Sequence, residues 1–84
     1  MSKEKNYREC ILHVFEKQKN KNKYVHYLAL IVGIKSNGGT FNISNYDGDV
    51  FKMVIKKMET DGELIPFYLF GTWKMDKWRI SEEI

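Results

Sequence analysis

The period of the apolar positions changes along the chain, and each change marks an element. Tyr7, Cys10, Ile11, Val14, Phe15 and Gln18 recur at spacings of three and four, with Arg8, Glu9, Glu16 and Lys17 opposite, which predicts an amphipathic first helix. It stops in Gln18 to Lys23, a polar Lys/Asn run with no apolar anchor. Tyr24 to Ile34 is apolar nearly all round, a pattern that fits either a buried helix or a buried strand. One division of it is a short strand at Tyr24-Val25 feeding a helix from His26 or Tyr27 to about Lys35.

Ala29 and Gly33 lie four apart in that segment. Helix-turn-helix segments place a small residue where two helices cross and a Gly, four positions on, where the first helix turns. Ser36-Asn37-Gly38-Gly39 breaks the helix, and the next begins only at about Asp47 to Val50. A plain turn needs about three or four residues. The stretch from Ser36 to Tyr46 is therefore either an insertion or a hairpin, with Thr40-Phe41-Asn42-Ile43 as a short strand.

Asp47-Gly48-Asp49 supplies an N-cap and negative charge at the positive end of a third helix. It is not a calcium loop, because the downstream oxygen ligands and terminal Glu of an EF-hand are missing. From Val50 this helix buries Phe51, Val54, Ile55 and Met58, shows Lys52, Met53, Lys56 and Lys57, and ends at Thr60-Asp61-Gly62. Leu64 to Phe70 and Trp73 to Ile80 read as strands, joined by a two-residue turn at Gly71-Thr72 or by a longer loop from Gly71 to Asp76. Pro66 confines its strand to an edge.

Eighty-four residues of one compositional character predict a single domain, residues 1–84. A domain of this size buries only about 60 to 65% of its unfolded surface, so dimerisation would add needed stability. Hydrophobic residues at 43% and aromatics at 14% are too many for a disordered chain. The net charge of +3 does not by itself announce a polyanionic partner. Its distribution says more. Between Lys17 and Tyr46 there is no acid, while Lys17, Lys19, Lys21, Lys23 and Lys35 fall there; acids collect at Glu59, Asp61, Glu63, Glu82 and Glu83.

Cys10 is alone and on the apolar stripe, so it reads as a small core residue in a reducing, cytoplasmic setting. The charged stretch from Met1 to Lys5 precedes no long apolar run, so neither a secretory signal nor a membrane span is expected. His13 and His26 are not at helix-ligand spacing and there is no second Cys, so no metal site is expected. Ser36, Ser44 and Ser81 have no recognisable base partner. The chain reads as neither an enzyme nor a cofactor protein.

Ala29 and Gly33, the stripe from Phe51 to Met58 with Asp61-Gly62, and a hairpin closing on Trp78-Arg79-Ile80 together resemble the winged helix-turn-helix superfamily. The resemblance covers most of the chain. It implies an α+β fold of three helices with a C-terminal β-hairpin wing, here with a long connection from the second helix to the third. It also implies double-stranded DNA as partner, with the third helix in the major groove and the wing on the backbone or in the minor groove. Carried over, Lys52, Lys56 and Lys57 become the helix contacts and Lys74, Lys77 and Arg79 the wing contacts. Gly71-Thr72 and Lys77 to Ile80 also look like the wing of the Z-form-binding branch. That branch uses an Asn and a Tyr where Lys52 and Lys56 stand here, which argues against conformation-specific binding.

Lys52 and Lys56 share one helical face and can neutralise phosphates, but the helix has no Arg, Asn or Gln for bidentate base reading. The expected role is thus a small homodimeric DNA-binding protein, either a transcriptional regulator or a DNA-binding adaptor in plasmid or phage maintenance. Tyr68, Phe70, Trp73 and Trp78 put more large rings on one hairpin than a small core covers. They are the candidates for a dimer or partner interface. They also motivate a second reading, an adaptor or inhibitor docking a protein through the hairpin, and a third, stacking on unpaired bases.

Overall fold

The computed structural model describes residues 3–17, 24–67 and 77–80. The order is α1 (Lys3–Glu16), β1 (Val25–His26), α2 (Tyr27–Asn37), a short 3-10 turn (Gly38–Phe41), α3 (Gly48–Thr60), β2 (Leu64–Pro66) and β3 (Lys77–Ile80). This is an α+β arrangement of three helices against a small antiparallel sheet with strand order β1-β3-β2. Val25 pairs with Trp78, and Leu64, Ile65 and Pro66 pair with Ile80, Arg79 and Trp78. Pro66 therefore sits on an edge strand, where its missing N–H breaks no ladder.

The helices form where the apolar stripes require burial. Tyr7, Cys10, Ile11, Val14 and Phe15 of α1 meet Leu30 and Ile34 of α2 and the Phe51, Val54, Ile55, Met58 stripe of α3, and Val25, Leu64 and Trp78 close the core from the sheet. Burial pushes the Cys10 thiol pKa up, as expected for an inert core residue. The Tyr7 ring is buried, and its hydroxyl donates to the Asn45 carbonyl at 3.3 Å and accepts from the Asp47 N–H at 2.7 Å. That stitch fixes the entry to α3 on α1. Asp47 then caps α3, its carboxylate accepting from the N–H groups of Asp49 at 3.0 Å and Val50 at 3.3 Å.

Two expectations for the middle of the chain are corrected. Gly33 does not turn a helix; α2 runs on to Asn37, and Ala29 is exposed rather than at a crossing. Gly33 itself is the crossing residue, because a Cβ there would stand 2.5 Å from Val14 Cγ2 of α1. Thr40 to Ile43 is not a strand. Gly38–Phe41 continues from α2 as a 3-10 turn, and Asn42 adopts the left-handed conformation at φ 59° with Ile43 N–H donating to the Gly38 carbonyl at 2.8 Å. The long connection is thus absorbed by a tightened helix end, with no added hairpin.

The end of α3 follows the expected signal. Gly62 at φ 80° lets the Glu63 N–H reach the Met58 carbonyl at 2.8 Å and its own N–H reach the Glu59 carbonyl at 3.1 Å, a Schellman ending. This delivers Glu63 to Arg8 of α1, whose Nε donates to Oε1 at 3.0 Å while Nη2 engages Oε2. No helix among the described residues is long and apolar enough to cross a membrane.

Two outcomes follow from this packing. Gly33→Ala adds about 1 kcal/mol of helix propensity but overpacks Val14, whose branched side chain is held to one rotamer in a helix, at about 1–3 kcal/mol. Urea unfolding should show a net loss, and Val14→Ala combined with it should cost less than the sum of the two changes. For the ion pair, the Arg8 hydrogen bond holds the Glu63 carboxyl below the usual carboxylate range. A lowered folded-state pKa contributes stability above the unfolded pKa that is lost as pH falls through the folded one. Because both groups are partly exposed, Glu63→Gln should cost about 0.2–1 kcal/mol at neutral pH. The difference from the unaltered protein should close below about pH 4.

Candidate nucleic-acid interface

The outer side of α3 is set by its buried side. With Phe51, Val54, Ile55 and Met58 turned inward, the exposed positions between Val50 and Thr60 are Lys52, Met53, Lys56, Lys57 and Thr60. No acid is exposed on that stretch. Glu59, the one acid within it, is half-buried and accepts a hydrogen bond from the Trp78 indole N–H. Among the described residues, Lys52, Lys56 and Lys57 have no ion pair.

The lysines occupy two flanks. Lys52 and Lys56, one turn apart, line a cleft of about 250 Å³ together with Tyr27, Phe51, Ile55, Glu59 and Trp78. Tyr27 joins the walls, its ring 5.5 Å from that of Phe51 and 6.4 Å from that of Trp78 between centroids. Lys57 faces α1 across a second groove of about 350 Å³ lined also by Glu4, Arg8, Val54, Asp61 and Glu63. Mixed charge makes that groove a weaker place for an anion.

Strand alternation separates Lys77 and Arg79 from Trp78. Trp78 is on the core side, so the two cations leave β3 from the other face of the sheet, and both are half-buried. The Lys77 ammonium lies 4.5 Å from the Phe67 ring centroid, a cation–π placement, and Phe67 in turn meets Tyr24 edge-on at 5.0 Å. The geometry brings Lys52 and Lys56 together and sets Lys77 and Arg79 apart from them. Lys74 lies outside the described residues.

Trp78 is corrected from interface to core. It is only 4% exposed, and its N–H is spent on Glu59. Its strand neighbours are charged, and the inward register of an isolated Lys-Trp-Arg could not be assigned without the β1 and β2 pairings. Tyr68, Phe70 and Trp73, together with the Gly71-Thr72 turn, lie outside the described residues. Among the described residues, the large apolar side chains that are exposed are Leu28 at 61% and Val32 at 63% on one face of α2, and Met53 on α3. The signal for Leu28 and Val32 was present as an α2 that is apolar all round, since a helix in so small a domain cannot be covered on every side. His26, weighed as a metal ligand, caps α2 by accepting the Leu28 N–H on Nδ1 at 3.0 Å. The described residues contain no group of His, Cys, Asp or Glu able to hold a metal ion.

Trp78→Phe keeps a ring in the core but removes the donor to Glu59. Hydrogen bonds to charged groups contribute about 1.5–3 kcal/mol, so denaturant unfolding should show a loss near that range, and Glu59→Gln, which retains an acceptor, should lose less. No protein-family model matches the chain, and no curated protein or solved structure matches it significantly.

Proposed function

We propose that the chain is a winged-helix domain that binds duplex DNA through the lysine face of α3. The observation that carries this reading is the outward stretch of Lys52, Met53, Lys56 and Lys57, whose lysines have no ion pair among the described residues and whose exposed acidic neighbours, Asp49 and Asp61, stand at its two ends. The element order, with β3 between β1 and β2 and α3 immediately before the β2–β3 pair, supports the same reading. Lysines are flexible point charges that neutralise phosphates without reading base edges. Binding by this face is therefore mainly electrostatic, with sequence preference coming from DNA shape or from residues beyond α3. Lys77 and Arg79 enter the contact set only through a backbone that wraps past the sheet edge, so the helix lysines carry most of the affinity. A role in transcriptional regulation or in plasmid or phage maintenance belongs to the same proposal.

A second reading has its own observation. Leu28 and Val32 lie one turn apart on α2 and are mostly exposed, which suits a homodimer or a protein partner better than it suits DNA.

Fluorescence anisotropy against a fully paired duplex at several salt concentrations tests the first reading. Each phosphate contact contributes about 0.9 to the slope of log affinity against log salt, so Lys52→Gln with Lys56→Gln should reduce the slope by about 1.8. Affinity without that change of slope would remove α3 from the interface. No retention of duplex at low salt, with a protein co-purifying instead, would favour the second reading.

A further inference from the structure

The cleft beside α3 combines three chemistries within one small volume. Tyr27, Phe51, Ile55 and Trp78 give it an aromatic and apolar floor in which Tyr27 is the ring with open surface, and Lys52, Lys56 and Glu59, in one row of α3, line its side with two ammonium groups and a carboxylate. Its volume of about 250 Å³ is below the roughly 300–1,000 Å³ of pockets for drug-sized ligands. A single ring system is the largest group that fits well.

Each feature excludes an occupant. An apolar side chain would cover the Glu59 carboxylate with no donor beyond the Trp78 indole, which carries the cost of burying an under-satisfied charge. A simple aromatic acid answers the lysines but brings its own negative charge and no N–H toward Glu59. A bare phosphate leaves the ring walls wet. The Trp78 indole uses only Oε2 of Glu59, and a carboxylate has acceptor sites beyond one hydrogen bond. The occupant that answers all three is a planar ring with N–H donors on one edge and an anionic group displaced from them along the helix.

We propose that this cleft binds one nucleotide unit carrying an exocyclic amino group: the base against Tyr27, its amino edge donating to Glu59, and its phosphate between Lys52 and Lys56. The unit is either a free nucleotide or an unstacked nucleotide within a strand, because a base inside a duplex is sealed by its neighbours and its partner. In the second case the inference rests on the nucleic-acid reading above; in the first it is independent of it.

The Trp78 indole N–H resonance, assigned by its absence in Trp78→Phe, reports the cleft directly. Titration with adenosine 5′-monophosphate should move it saturably together with the backbone amides of Lys52, Lys56 and Glu59. Adenosine and ribose 5-phosphate should each bind at least roughly tenfold more weakly, as expected on losing a charge-assisted contact or a stacked ring. Lys52→Gln with Lys56→Gln should weaken the monophosphate and leave adenosine unchanged. Ribose 5-phosphate matching the monophosphate, or shifts confined to other residues, would overturn the proposal.

A duplex with one bulged adenine, compared with its fully paired form, separates the sources. Preference for the bulge with the same resonances moving assigns the site to a strand, and equal binding of the two duplexes beside a positive monophosphate titration assigns it to the free nucleotide. If the paired duplex binds while neither the monophosphate nor the bulge moves Trp78, the cleft proposal fails and the duplex reading stands. If the monophosphate binds and no duplex is retained at low salt, the duplex reading fails and the cleft stands.

Discussion

Burial of one stripe of α3 is the constraint on which the rest of the molecule depends. Phe51, Val54, Ile55 and Met58 can leave water only between α1 on one side and the sheet on the other. Each such side chain stabilises by about 1.5–3 kcal/mol when fully buried, against a whole-domain stability of about 5–15 kcal/mol. The stripe cannot be rotated away without losing a large part of the fold. Its complement, the lysine face, is consequently held outward by the core rather than by any contact of its own.

The polar contacts around α3 act as stops on that arrangement. Asp47 caps its start, and the Tyr7 hydroxyl ties the residues just before it to α1. Gly62 ends it in a geometry that hands Glu63 to Arg8. Glu59 links its last turn to β3 through the Trp78 indole. That last link does two things at once: it satisfies a buried N–H, and it engages Glu59, the acid within the Val50–Thr60 stretch. The same hydrogen bond that closes the core thus leaves a carboxylate in the cleft that Lys52 and Lys56 also line.

Much of this was legible in the residues because period and punctuation agreed. The α1 and α3 stripes, the Asp47 cap, the Gly62 ending and the edge position of Pro66 each rest on a local rule with a local cause. Where the cause was tertiary, the local reading missed. Gly33 is small because Val14 of α1 presses on it, not because a turn follows, and nothing near it in sequence carries that information. Thr40 to Ile43 alternates enough to suggest a strand, yet no neighbouring strand exists there to pair with among the described residues, and the backbone closes on itself as a 3-10 turn instead. For the candidate site, the helix lysines could be named from the wheel alone. The separation of Lys77 and Arg79 from them could not, since it depends on which face of β3 Trp78 occupies, and a one-residue change of register reverses that assignment.

The central claim is that the outward face of α3 meets the nucleic-acid backbone. Amine acetylation followed by mass spectrometry, with and without bound duplex, tests it residue by residue on the unaltered protein. The account predicts strong protection of Lys52 and Lys56, lesser protection of Lys57, and little change at Lys3 and Lys35. Protection confined to Lys3, Lys5 or Lys35, with Lys52 and Lys56 as reactive in the complex as in the free protein, would contradict it.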